Sequence, residues 1–395
     1  MSVEALSRTS ARGPLARCAG DPLAFLRDAW GRRASVRQAT DHSGFDDLLS
    51  FDQVDRFLTA TSIRSPYFRL VKAGEQMPES AYTRSGQTGS REVHGMADPA
   101  RVAHLFEDGA TLVLQGLHRW SEPVTRFCRD LELELGHPCQ ANAYITPPGA
   151  QGLALHEDPH DVFVLQAFGR KRWEVHGAPA EDERAPLDAE IGPGDTIYMP
   201  TGTPHAASTQ DVLSGHLTIG VHVTSWREVL DDLWSRIDAG PASAGDVPAG
   251  WTRDPEGFAR ELRARAIALA HALAAIDADE VFRRREEQFL SSRPQLARGA
   301  IAERSAPIAV EDATVVRRRT DALCEIRRRN DALIVLLGDR RLEMPQWLEP
   351  AMRRIEASLL FTVRDLAPEL PDAASRAVLV GRLIREGLLT ARDTG

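Results

Sequence analysis

Three side chains, His156, Asp158 and His205, have the residue types and the spacing of a metal centre. In Gly152-Leu153-Ala154-Leu155-His156-Glu157-Asp158 an imidazole and a carboxylate stand two residues apart, which on a strand puts both on one face. The third ligand closes Pro193-Gly194-Asp195-Thr196-Ile197-Tyr198-Met199-Pro200-Thr201-Gly202-Thr203-Pro204-His205. Gly and Pro shape a tight turn there, a short strand follows, and a second turn brings His205 back across the barrel. Two histidines and one carboxylate fill one face of an octahedron, the set that suits a non-haem Fe(II) oxygenase. The three open positions admit O2 and a chelating cosubstrate. A histidine by itself is more often a hydrogen-bonded surface or core residue, and H-x-D alone is common; the pairing of both segments carries the assignment. Glu157 alternates to the opposite face. His160 follows the disruptive Pro159 and as a fourth protein ligand would block the cosubstrate, so neither is included.

A cation is placed close by. In Arg170-Lys171-Arg172-Trp173-Glu174-Val175 the period of two puts Lys171 inward with Trp173 and Val175. A lone buried ammonium costs several kcal/mol, so an inward lysine requires an anion. A lysine that snorkels to the barrel mouth reads equally well on this strand alone; its place after the ligand pair favours the anion. Asn142 and Tyr144 put polar tips on one face of an earlier strand, and Thr218 does so on a later one. Both sets read either as structural residues or as cosubstrate contacts.

These residues need a β scaffold, and the text from Asp21 to about Val223 supplies one. Short apolar runs such as Val162-Phe163-Val164-Leu165 alternate with Gly, Pro and Asp clusters, the pattern of a sandwich or barrel. Helices are expected over Pro22 to Trp30, Phe51 to Thr59 and Glu122 to Leu135. At Ser225 the period changes: Ser225 and Glu228 form a capping-box signature ahead of Trp226, Val229, Leu230, Leu233 and Ile237. A Gly, Ala and Pro-rich loop is expected over 239–250. Beyond it, Leu262, Ala266, Leu269, Leu273 and Ile276 recur at steps of four and three, as in a helix presenting a seam to another helix. That seam fits a dimer or packing within the chain equally well. A strand over 332–337 and helices near Pro350 to Leu359 and Ala374 to Glu386 suggest a small winged-helix unit. Residues 361–395 hold five Arg against five Asp plus Glu, so no basic stripe is present for nucleic acid.

The bulk numbers agree. At 395 residues, two or three folding units are expected, and 43% hydrophobic with 27% charged residues is ordinary globular composition. A net charge of −9 speaks against coating nucleic acid. Cys18, Cys128, Cys139 and Cys324 form no C-x-x-C pair, so neither a zinc ribbon nor a disulfide framework is expected and a reducing cytoplasm fits. No apolar run reaches membrane-span length, and no secretion signal is read at the N-terminus.

The stretch from Asn142-Ala143-Tyr144-Ile145-Thr146-Pro147-Pro148-Gly149 through His156-Glu157-Asp158 and Asp161-Val162-Phe163-Val164-Leu165-Gln166 to Gly169-Arg170-Lys171-Arg172-Trp173 resembles the cupin-type JmjC oxygenases, specifically the ribosomal-oxygenase group. The resemblance implies an α+β protein: a lead-in over 1–20, a double-stranded β-helix (jelly-roll, cupin) catalytic domain over 21–224, a helical dimerisation region over 225–304 and a winged-helix-like domain over 305–395. It implies that His156, Asp158 and His205 bind Fe(II), that Lys171 pairs with the distal carboxylate of 2-oxoglutarate, and that Asn142, Tyr144 and Thr218 surround the cosubstrate. The expected activity is hydroxylation of a protein or peptide side chain, with ribosomal proteins as the group's substrates. The alternatives are a hydroxylase of a small metabolite or biosynthetic peptide, and a non-catalytic ligand-binding cupin. Two departures stand out: bacterial members of the group have Arg where this chain has Lys171, and Thr209 replaces the asparagine that closes the wider cupin motif.

Overall fold

Residues 13–40, 44–150, 154–176, 187–209, 211–236, 244–293, 301, 305 and 309–391 are described by a computed structural model. The chain divides into two units, Met1–Asp231 and Asp232–Gly395.

In the first unit the strands are β1 (Ser35–Arg37), β2 (Phe68–Lys72), β3 (Glu75–Gln76), β4 (Thr83–Thr88), β5 (Arg91–Ala97), β6 (Thr111–Leu114) and β7 (Cys139–Thr146). They continue as β8 (Asp161–Phe168), β9 (Lys171–Val175), β10 (Leu187–Ile191), β11 (Thr196–Met199), β12 (His205–Thr209) and β13 (Ser214–Val221). Eight form one antiparallel sheet in the order β1-β11-β8-β13-β7-β6-β2-β3, and three form a second, β10-β9-β12. The two sheets face each other. Val162, Val164, Ile197 and Met199 of the long sheet meet Trp173, Val175 and Ile191 of the short one. The opposite face of the long sheet, with Phe163, Leu165 and Leu217, packs on α1 (Pro14–Ala19), α2 (Pro22–Asp28) and α5 (Glu122–Leu135). β8 is therefore covered on both sides and reads as a continuous buried run, whereas β9 alternates buried and exposed. Each fully buried aliphatic or aromatic side chain here contributes about 1.5–3 kcal/mol. Two further helices, α3 (Phe51–Ala60) and α4 (Pro99–Glu107), complete the unit. This is a mixed helix and sheet architecture, with two facing antiparallel sheets and helices on the outer face of the long one.

Between β8 and β9 the chain turns at Gly169, where φ is +67° and a Cβ would sit 1.7 Å from the Leu213 carbonyl oxygen. Only glycine fits there, and that turn sets the register in which Lys171 points inward.

Two expectations need correction. Residues 1–12 of the expected lead-in lie outside the described residues, but from Pro14 the chain is the helix α1, with Leu15 and Cys18 buried in the core. The strand expected to carry His156 and Asp158 is reduced to a single bridge, His156 to His205, because Pro159 ends any ladder on one side. Gly152 and Leu153 of that segment lie outside the described residues.

α6 (Trp226–Arg236) begins with the capping box expected at Ser225: Ser225 Oγ accepts from the Glu228 amide at 3.2 Å and the Glu228 carboxylate accepts from the Ser225 amide at 2.7 Å. Ile237 of its expected apolar face, and residues 239–243 of the expected loop, lie outside the described residues.

The second unit contains α7 (Pro255–Ala274), α8 (Ala278–Leu290), and a small domain of β14 (Val315–Arg318), β15 (Glu325–Arg329), β16 (Ala332–Leu336), β17 (Arg341–Pro345), α9 (Glu349–Ala357), β18 (Leu360–Thr362), α10 (Ala373–Arg385) and β19 (Leu389–Thr390). That domain has its own core around Val316, Val335, Met352, Ile355 and Val380. α7 has no buried residue.

Candidate metal centre

His156, Asp158 and His205 come together, each offering one ligand atom within 4.8 Å of the others. Their backbones set this. The His156 amide donates to the His205 carbonyl at 3.1 Å and the His205 amide donates back at 2.8 Å. The Gly202 amide donates to the Asp158 carbonyl at 2.9 Å, tying the turn before His205 to the other ligand segment. Asp161 pins the same turn, accepting from the Thr201 amide and hydroxyl, both at 2.8 Å, and from the Tyr198 hydroxyl.

Both imidazoles are oriented by carbonyls. His156 Nδ1 lies 2.8 Å from the Ala154 carbonyl oxygen and His205 Nδ1 lies 2.9 Å from that of Thr203. An Nδ1–H donating to a carbonyl leaves the Nε2 lone pair for a metal. His205 Nε2 is 3.7 Å from Asp158 Oδ2, and the two imidazole centroids are 4.3 Å apart. Cis ligands on one ion stand about 3 Å apart, so these atoms lie about 1–2 Å wider than a bound ion would hold them. Burial lowers the pKa of His205, with neighbouring His156 acting the same way, which keeps it in the neutral, metal-binding form. A neutral N, neutral N, carboxylate O donor set fits Fe(II). Glu157 is exposed, and His160 Nε2 lies 3.1 Å from Gln140 Nε2, so neither joins the triad.

The cavity that holds the triad is lined farther in by Lys171, Tyr144, Thr218, Trp173 and His216. Lys171 is 2% exposed, and its Nζ donates to Thr146 Oγ1 at 3.1 Å. Burial alone lowers its pKa to about 7, and no carboxylate among the described residues acts on it. An ammonium in that position lacks its counterion, which is the fit expected of an anionic ligand held at one end by the metal and at the other by Lys171. On the outer face of β9, Arg172 pairs instead with Asp188.

The remaining expected residues divide. Tyr144 and Thr218 line the cavity; Asn142, on the same face of β7 as Tyr144 and paired across the sheet with Thr218, accepts at its Oδ1 from the Gly116 amide at 3.0 Å, which holds the end of the loop after β6. Thr209 ties down the segment after β7: its hydroxyl contacts the Pro147 and Ala150 carbonyls at 2.8 and 2.7 Å. His216 went unnoticed in the sequence. It stacks on Tyr144 with centroids 5.2 Å apart and planes 9° from parallel, and burial pushes its pKa well down. Its position two residues before Thr218, hence on the same strand face, was the available signal.

Comparison with known proteins places this geometry. Residues 118–229 match the JmjC domain family. The chain is 30% identical over 228 residues to ribosomal oxygenase 1 of Rattus norvegicus, covering 53% of this chain and 37% of that protein. It is 36% identical over 214 residues to the bifunctional lysine-specific demethylase and histidyl-hydroxylase NO66 of Branchiostoma floridae, covering 53% and 32%. The chain thus spans well under half the length of the curated relatives it matches. Among solved structures, the Escherichia coli ribosomal oxygenase YcfD superposes with a TM-score of 0.53 at 21% identity, covering 94% of this chain and 98% of that one. A second structure of YcfD, in complex with cobalt and 2-oxoglutarate, matches with a TM-score of 0.53 at 20% identity, covering 93% and 97%. At that identity the likeness speaks for the fold. On these matches residues 118–229 resemble a JmjC domain, and the chain is similar to proteins of the ribosomal-oxygenase group.

Proposed function

We propose that the protein is an Fe(II)- and 2-oxoglutarate-dependent hydroxylase acting on a protein or peptide side chain. One observation carries this reading: a His, Asp, His face with its Nε2 atoms freed for a metal shares a cavity with a buried lysine that no carboxylate among the described residues neutralises. Iron with 2-oxoglutarate and O2 supplies an oxidant able to hydroxylate a C–H bond, with succinate and CO2 as co-products.

The chain's own residues do the positioning. His156, Asp158 and His205 hold the metal; Lys171, supported by Thr146, pairs with the far carboxylate of the cosubstrate; Tyr144 and Thr218 wall the space between. The apolar faces of Val162, Val164, Trp173 and Met199 keep water from that space. No acid or base is needed beyond them. Support for a protein substrate comes from relatives named ribosomal oxygenase and histidyl-hydroxylase, and a ribosomal protein is the first substrate to test.

The second unit fits an assembly role. Trp226, Leu230 and Trp234 on α6 are 80%, 54% and 60% exposed, and Leu262 and Ile267 on α7 are 55% and 59% exposed. Trp226, Leu230 and Trp234, spaced by four on one helix face, form an exposed apolar row that fits an interface. We read 225–304 as a homodimerisation region and 305–395 as a winged-helix-like domain with a structural or protein-contact role, and expect no contact with nucleic acid. Reduced, buried Cys18, Cys128 and Cys139 suit a cytoplasmic location, and no helix among the described residues is long and apolar enough to cross a membrane.

The test is turnover of 2-oxoglutarate to succinate with Fe(II) under air against a library of ribosomal-protein peptides. Peptide-dependent succinate with a 16 Da mass gain (one oxygen atom inserted) on one residue is expected. Turnover driven only by small metabolites would move the assignment to the small-molecule class.

A further inference from the structure

Two buried ring nitrogens in the cavity have no partner among the described residues, Nδ1 of His216 and Nε1 of Trp173. The side chains are 3% and 5% exposed. Leaving a buried polar atom unpaired costs about 1–3 kcal/mol, so two such atoms on touching rings call for a ligand.

Their placement says which part of the cavity they serve. His216 comes from β13 in the long sheet and Trp173 from β9 in the short sheet, and the rings meet edge to face across the interior at 5.2 Å and 79°. Tyr144 stacks on His216 and fixes its plane without using either nitrogen. Trp173 lies 6.0 Å from the His205 ring and follows Lys171 by two residues on the same strand face. His216 and Trp173 line the same cavity as Lys171 and the metal ligands, within reach of a ligand that spans it. Burial first, then Lys171, holds the imidazole neutral, and a neutral imidazole always has one N–H to donate.

We propose that His216 and Trp173 form a second anchor for the cosubstrate, donating their N–H groups to its distal carboxylate beside Lys171. This rests on the reading of Lys171 as the cosubstrate's cation. A carboxylate offers about four lone-pair sites, more than one ammonium can fill in a dry cavity. Two neutral donors satisfy the rest without adding a like charge next to Lys171. Sequence spacing alone assigns the anchoring to the lysine; the structure spreads it over three residues from two sheets.

Anaerobic calorimetry on the full-length, Mn(II)-loaded protein titrated with 2-oxoglutarate tests this. His216→Phe keeps an aromatic ring between Tyr144 and Trp173 but removes both nitrogens. It should weaken 2-oxoglutarate binding about tenfold, equivalent to about 1.4 kcal/mol, with Mn(II) affinity unchanged and the melting temperature equal or higher. His216→Gln, which restores a donor, should recover part of the affinity, and Trp173→Phe should show a smaller loss of its own. Wild-type affinity in His216→Phe, while Lys171→Ala binds poorly in the same assay, would overturn this inference and leave the cosubstrate reading standing. Equal binding by wild type and Lys171→Ala would remove the cosubstrate reading and the inference with it. A drop in melting temperature or in Mn(II) affinity alongside the lost 2-oxoglutarate binding would make His216 a structural residue and also overturn the proposal.

Discussion

The barrel interior and the helices over 226–290 are unfinished in opposite ways. Inside the barrel, polar groups are buried with bonding capacity unmet among the described residues: no carboxylate acts on the Lys171 ammonium, and His216 Nδ1 and Trp173 Nε1 have no hydrogen-bond partner. On α6 and α7, apolar groups are exposed without cover, Trp226 and Ile267 among them. Buried unpaired polarity asks for a small charged ligand, because only a ligand can reach it. Exposed apolar surface asks for another polypeptide, because only a large partner can cover it. One chain therefore shows two kinds of missing partner, separable by where the unmet chemistry lies.

The largest break in that comparison should come at the metal. His156→Ala or Asp158→Ala is expected to abolish substrate-dependent succinate formation while shifting the melting temperature little, because both ligands stand at the mouth and are only partly buried. Metal content and succinate assayed on the same sample check it; full activity in either metal-loaded variant would remove the triad from the mechanism.

Next is the lysine. Lys171→Ala should weaken 2-oxoglutarate binding by about ten- to a hundredfold, the value of about 1.5–3 kcal/mol for a charged hydrogen bond, with metal affinity unchanged. An equal loss of both would show a structural role.

A pH effect sharpens the same point. The folded pKa of Lys171 is depressed to about 7, below its ordinary value, so folding favours the neutral amine. Stability of the ligand-free protein should then rise with pH from about 7 toward about 10, where the unfolded chain also loses its proton, and the full penalty should be felt below about 7. Anion binding needs the charged form, so 2-oxoglutarate affinity should fall about tenfold per pH unit above about 7 until the pKa of the complex is reached. Lys171→Arg, charged throughout, should bind with no such slope. Calorimetry between pH 6.5 and 9 checks both (a range set by the ordinary lysine value of about 10.4 and the depressed one); a flat wild-type profile would mean that Lys171 carries no anion.

The smallest effect on chemistry is expected on the other side of the comparison. Glu at Leu269 and Leu273 should produce monomers by light scattering, with 2-oxoglutarate binding retained and use of long protein substrates reduced. Unmodified protein that is monomeric at micromolar concentration would contradict the dimer.

What could be read from the sequence follows what is local. The triad was legible because His156 and Asp158 lie two apart and His205 ends a Gly and Pro-rich turn, all short-range patterns. Lys171 was legible from the alternation of β9. Helix α5 was legible over its whole length from its apolar period and from Pro at its start. The hydrogen bond of Asn142 to the Gly116 amide was not legible, because that amide lies in a loop that only tertiary folding brings near. His216 hid because a histidine on a buried strand reads as core until Trp173 arrives from the opposite sheet. In the second unit β16 stood out as an apolar run, while β14 and β15, written as Val-Val-Arg-Arg and Glu-Ile-Arg-Arg-Arg, offer too little apolar alternation to be seen. The burial of α1 was equally invisible, since Leu15 and Cys18 gain meaning only from the sheet they cover.

The most direct measurement is a crystal structure after an anaerobic soak with Mn(II) and 2-oxoglutarate. One metal bound by His156, Asp158 and His205 is expected, with the keto acid end of 2-oxoglutarate on that metal and its other carboxylate on Lys171. A metal bound elsewhere, or a loaded triad with no 2-oxoglutarate at Lys171, would contradict it.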